Sequence, residues 1–152
     1  MVDRNLEDSA YYEYFKIVQN TINRLASNSF LIKAWTITLI GSISILTFSI
    51  LNTIIFTVLI GIVIVFWILD SYYLKMERLY RELYQDNVDK FNTLDRRIEI
   101  LLFDMKTEIY KNKVKLVKVI FSKTESLFYI SLACGLLLLL ILNIIIPWKF
   151  SI

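Results

Sequence analysis

Apolar residues in this chain gather in two long uncharged runs, Ala34 to Leu69 and Ser126 to Trp148, instead of recurring at a helical or strand period. A stretch of about 20 apolar residues is what crosses a hydrocarbon core about 30 Å thick. A soluble core built from so short a chain could not hide such runs. The first contains 36 residues. As one helix it would extend about 54 Å, more than tilting can absorb. It therefore reads as two spans, about 33–51 and 53–70, with Leu51-Asn52-Thr53 at a hairpin tip. The second run predicts a third span at about 127–148. Barrel strands alternate apolar and polar positions, whereas these runs are continuous.

The polar stretches follow a helical pattern. Over residues 8–26, Tyr11, Phe15, Val18, Ile22 and Leu25 recur on one face, with Glu13, Lys16, Asn20 and Arg24 on others. Asn28-Ser29 is the expected break after this amphipathic helix. The helix suits the membrane surface and equally suits packing against other helices. Residues 71–126 contain no Gly or Pro, which predicts one or two long helices with a turn near Asn87 or Asn92. Leu94, Ile98, Leu101, Met105 and Ile109 form an apolar stripe within that segment. The expected fold is an all-α integral membrane protein. It has an N-terminal cytoplasmic helix over 1–32, a transmembrane hairpin over 33–70 and a long cytoplasmic helical segment over 71–126. A third transmembrane helix at 127–148 and an external tail at 149–152 complete it.

Charge supplies the orientation. Four basic residues precede the first span, twelve lie between the second and third, and none lies at the hairpin tip. Cytoplasmic loops carry the excess of Lys and Arg, so the N-terminus and the middle segment are expected in the cytoplasm, with the bacterial inner membrane as the location. Asp3, Glu7, Asp8 and Glu13 precede any apolar run, unlike a cleavable signal, so the mature chain is expected to begin near Met1.

Composition argues against an enzyme. The chain has no His and a single Cys, Cys134, which removes the commonest general base and any intrachain disulfide or cysteine-based zinc site. Three Gly and one Pro leave no phosphate-cradling loop. No cofactor or metal is expected.

Three features remain as candidates. Thr38, Gly41, Ser42, Ser49 and Asn52 fall on one small, polar face of the first span. Such a face is either a close helix-packing seam or the lining of a pore in an oligomer. Thr53, Thr57 and Gly61 form a similar row on the second span. Lys111, Lys113, Lys115 and Lys118 occur with no acid between Glu108 and Glu125, and Lys111, Lys115 and Lys118 would share a helix face. They suit anionic lipid or a phosphate-rich ligand such as a nucleotide or oligonucleotide. Lys33 and Asp70, equidistant from the hairpin tip, are expected at one depth and close enough to pair.

The residues Asn28-Ser29-Phe30-Leu31-Ile32-Lys33-Ala34-Trp35, Phe66-Trp67-Ile68-Leu69-Asp70, Tyr72-Tyr73-Leu74, Glu77-Arg78, Arg81 and Leu83-Tyr84 resemble a family of small bacterial membrane proteins. These are found in antiphage defence operons and carry a two-span hairpin followed by this elbow. Within that group the chain is similar to the channel-forming effectors of Hailong-type systems. The resemblance spans about residues 11–88. It implies an effector that depolarises the inner membrane, with a partner nucleotidyltransferase whose single-stranded DNA oligomers hold the channel shut. The third span and the lysine stretch lie outside the matched region, so no ligand contact carries over. The expected function is thus a homo-oligomeric channel gated through its cytoplasmic helices by a nucleotide, an oligonucleotide or a cytosolic sensor protein. The alternative is a non-conducting scaffold that anchors a cytosolic enzyme.

Overall fold

The computed structural model describes residues 2–46, 53–93 and 99–145. Helix α1 runs over Val2–Leu46 and α2 over Thr53–Asn92. A 3₁₀ turn, Glu108–Tyr110, and a short helix α3, Leu116–Ile120, lead into α4, Lys123–Ile145. No strand occurs among the described residues. Helices α1, α2 and α4 are long and apolar enough to cross a membrane. At 1.5 Å per residue, α1 and α2 are about 67 Å and 60 Å long, roughly twice a hydrocarbon core. Each therefore carries one apolar half and one polar half.

The halves sort into two units. The first contains Met1–Asn28 and Tyr72–Leu116, the second Ser29–Ser71 and Val117–Ile152. In the first, Tyr14, Val18 and Ile22 of α1 meet Ile100 in a buried core. Phe15 packs edge-on against Phe91 at 5.6 Å and against Tyr84 at 5.8 Å. Such aromatic pairs add stability beyond their buried area. In the second, Ile40 of α1, Leu59 and Val63 of α2, and Tyr129 and Leu136 of α4 form the core.

Local expectations change at two points. No break occurs at Asn28-Ser29, because α1 is continuous there. The Ser29 hydroxyl donates to the Asp70 carboxylate instead of competing for the backbone, the role by which serine usually ends or starts a helix. Asn87 likewise lies inside α2, where its amide donates to the Tyr14 hydroxyl at 3.0 Å. The helix ends at Asn92, the other position expected for the turn.

Residues 99–115 form turns in place of the expected long helix. Phe103 has a φ of 64°, a left-handed conformation that no helical run accommodates. The Asp104 carboxylate accepts the Lys106 backbone N–H at 3.0 Å, a local bond that replaces a helical one. The apolar stripe dissolves accordingly. Leu101 and Ile109 are exposed, Met105 packs on the first unit's core, and Leu94 and Ile98 lie outside the described residues.

The leucine block 136–140, which as an unbroken apolar run reads as lipid-facing, does not present a uniform surface. Leu136 is buried, whereas Leu137, Leu138 and Leu139 are exposed. Leu51, Asn52 and the segment from Pro147 onward lie outside the described residues.

Candidate functional site

The second unit contains a buried charge cluster drawn from all three of its long helices. Ser29 and Lys33 are one turn apart on α1, Asp70 lies on α2, and Glu125 and Tyr129 are one turn apart on α4. Residues four apart share a helix face, so each pair points as a unit. Lys33 Nζ forms an ion pair with Asp70 Oδ2 and a second with Glu125 Oε1 at 2.8 Å. It also donates to Ser29 Oγ at 3.2 Å. Asp70 accepts further bonds from the Ser29 hydroxyl and, at 2.9 Å, from the Tyr129 hydroxyl. The Phe128 ring centroid lies 6.0 Å from the ammonium.

Burial makes this cluster consequential. Asp70 is fully buried and Glu125 is 1% exposed. A charge removed from water must find compensating charge and hydrogen bonds. Asp70 has three donors, but Glu125 accepts only from Lys33, and its Oε2 is buried without a partner. Aromatic packing closes the region. Trp67 stacks on Tyr129 at 5.8 Å, and its indole N–H donates to the Ile120 carbonyl at 3.2 Å.

The structure brings Lys33 and Asp70 together and adds Glu125, which the sequence reading did not single out. The same depth argument contains the missing signal. Glu125 is the last charged residue before the third apolar run, as Lys33 and Asp70 flank the first. Ser29 and Tyr129 carry no signal of their own, being ordinary interfacial types.

The small polar face of α1 is uncovered within the chain. Thr38 and Ser42 are exposed, and the Thr38 hydroxyl donates to the Ala34 carbonyl at 2.9 Å. A Cβ added at Gly41 would meet nothing within 4 Å, and the same holds at Gly61. The neighbouring α1 positions that do pack are Thr36 and Ile40. Neither glycine therefore serves a close helix contact inside one chain. Ser49 and Asn52 lie outside the described residues.

The lysine stretch does not lie on one helix. Lys111, Lys113 and Lys115 belong to the first unit and Lys118, on α3, to the second. The turns after Glu108–Tyr110 interrupt the helix that would have aligned Lys111, Lys115 and Lys118. Lys111 pairs with Glu108 at 3.1 Å and Lys113 with Glu82 at 3.0 Å. Lys113 also sits 5.5 Å from the Tyr110 ring centroid.

A second polar network lies in the first unit. Tyr14 donates to the Asp104 carbonyl at 2.7 Å while accepting from Asn87. Tyr110 donates to Asp86 at 2.7 Å. Burial first, and then the Asp86 carboxylate, push the Tyr110 hydroxyl well above the usual phenol range.

Among the described residues no group of three or more His, Cys, Asp or Glu could hold a metal ion. No protein-family model, no curated protein and no solved structure matches the chain, so the functional reading rests on these residues.

Proposed function

We propose that the chain is a homo-oligomeric effector of the bacterial inner membrane that conducts ions and depolarises the cell, as its resemblance to antiphage-defence effectors implies. In this reading α1, α2 and α4 span the bilayer at about 33–51, 53–70 and 127–148, and the N-terminus and residues 71–126 are cytoplasmic. Gating is driven by a nucleotide, an oligonucleotide or a partner protein such as a nucleotidyltransferase acting on that cytoplasmic part. The ligand need only bind one of two assemblies better than the other.

The observation that carries the reading is the uncovered Thr38–Gly41–Ser42 face on an otherwise apolar helix. Hydroxyls in the bilayer are placed against other helices or along a water-filled path, and this chain's own helices do not cover these. Ser49 and Asn52 extend the face in sequence. Lys111, Lys113, Lys115 and Lys118 supply positive charge for anionic lipid or a phosphate-bearing ligand.

Expression in cells loaded with a membrane-potential dye tests the proposal. Wild type should depolarise the membrane, and Ser42→Leu should abolish that while the protein still reaches the membrane. A wild-type protein that leaves the potential unchanged sinks it. The second reading, a non-conducting scaffold, is favoured by the exposed Leu101 and Phe103 on the first unit. These could seat a cytosolic enzyme, and stable capture of that enzyme without depolarisation is its signature.

A further inference from the structure

We infer that the Lys33–Asp70–Glu125 cluster is a proton-binding site, in which Glu125 takes up and releases one proton at its unpartnered oxygen, Oε2. Three independent observations lead there. The first is charge. One ammonium faces two carboxylates, so the fully ionised cluster carries one uncompensated negative charge on two buried side chains. Such a charge is costly enough that a buried acid neutralises instead.

The second is the unequal treatment of the two acids. Asp70 receives Lys33, Ser29 and Tyr129 as donors. Glu125 receives Lys33 alone. The oxygen left open for a proton is therefore on Glu125.

The third is the unpartnered oxygen. Glu125 Oε2 is buried with no partner. Protonation removes the charge from that oxygen, which lowers the cost of leaving it without a hydrogen bond. The charged and titratable groups that act on it are Lys33 from α1, Asp70 from α2 and Tyr129 from α4 itself. The step is a simple association, carboxylate plus proton to carboxylic acid, with no other reactant.

The site has a structural consequence. With the proton bound, the cluster is neutral and α4 is held to α1 and α2. With the proton released, the net negative charge repels Asp70 from Glu125 and loosens α4. Rising pH thus weakens the three-helix contact. For the proposed channel, proton release biases the state in which the helices part, and this last clause alone rests on the conducting reading.

The test is infrared absorption by the protonated-carboxyl stretch, followed against pH on the full-length protein in lipid nanodiscs. Wild type should show the band at neutral pH and lose it on alkaline titration. Glu125→Gln should lack it. Asp70→Asn should lack it too, because Lys33 then balances Glu125 alone. Lys33→Met should about double it, since both carboxyls must then be protonated.

No neutral-pH band in wild type, or a band that survives Glu125→Gln, overturns the inference. Opposite changes in Asp70→Asn and Lys33→Met cannot both come from misfolding, which keeps the test decisive if one variant is unstable. Replacing sodium by choline at constant ionic strength should leave the titration unchanged, and a band displaced by sodium overturns the assignment in favour of an alkali-cation site. The readout does not require conduction. A titrating band in a protein that fails to depolarise cells supports the proton site while sinking the channel.

Discussion

The side chains that matter most here are polar groups placed where water is scarce. Removing one partner of a buried ion pair leaves the other charge stranded, at about 3–5 kcal/mol. Lys33→Met leaves Asp70 without its counter-ion, so that it must be either stranded or neutralised, and should destabilise the second unit by up to about that much, read from detergent denaturation. Adding Asp70→Asn to Lys33→Met should restore most of the loss, because no charge then needs a partner. In the first unit, the raised Tyr110 ionisation gives a defined pH window. The neutral phenol is favoured when folded, so its contribution is fully present below the unfolded phenol value of about 10 and is lost as pH rises through the higher folded value. Tyr110→Phe should therefore lower stability at neutral pH by about 1 kcal/mol and flatten the alkaline fall measured by circular dichroism. Half of the ion cluster was legible in the chain, since Lys33 and Asp70 flank one apolar run symmetrically. Glu125 carries the same depth signal, as the last charge before the third apolar run, but which partner it meets depends on how the third helix packs.

Among the elements, the long apolar helices were readable because hydrocarbon thickness imposes their length and continuity. The irregular segment was not. Its residues 99–115 contain no Gly or Pro, and an absence of breakers reads as a helix. What defeats the helix is tertiary and local capture of polar groups, through Tyr14 on the Asp104 carbonyl, Tyr110 on Asp86 and Lys113 on Glu82. These bonds pull the backbone away from its own ladder, as the Asp104 turn does directly. The uninterrupted α1 is the converse case, where Ser29 spends its hydroxyl on Asp70 and leaves the helix intact. Tyr14→Phe tests this account. It removes the hydroxyl that joins α1 to α2 and to the turns, leaving the Asn87 amide buried without its acceptor. The expected cost is about 1–3 kcal/mol, and hydrogen exchange should quicken first in residues 99–115 and later in α2.

At the scale of the whole chain, the decisive quantity is how little of each apolar helix the protein covers by itself. In the most apolar windows of α1, α2 and α4, only 17%, 28% and 17% is buried. In the proposed membrane assembly the remainder faces lipid or other copies, and the hydroxyl face of α1 discriminates between these. Lipid is indifferent to which exposed helix position bears a reporter, whereas a second copy is not. A single-cysteine series in a Cys134→Ser background makes the comparison, since Cys134 is exposed and would otherwise cross-link on its own. In membranes treated with a mild oxidant, Ser42→Cys should form a disulfide-linked dimer, because copies arranged around a pore bring the same face together. Val58→Cys and Ile64→Cys, on exposed apolar positions of α2, should stay monomeric if those positions face lipid. Cross-linking at Val58 or Ile64 with none at Ser42 would move the oligomer interface to α2 and remove the α1 face as a lining. No cross-linking at any of the three would favour the scaffold, since a protein that anchors an enzyme needs no copy of itself.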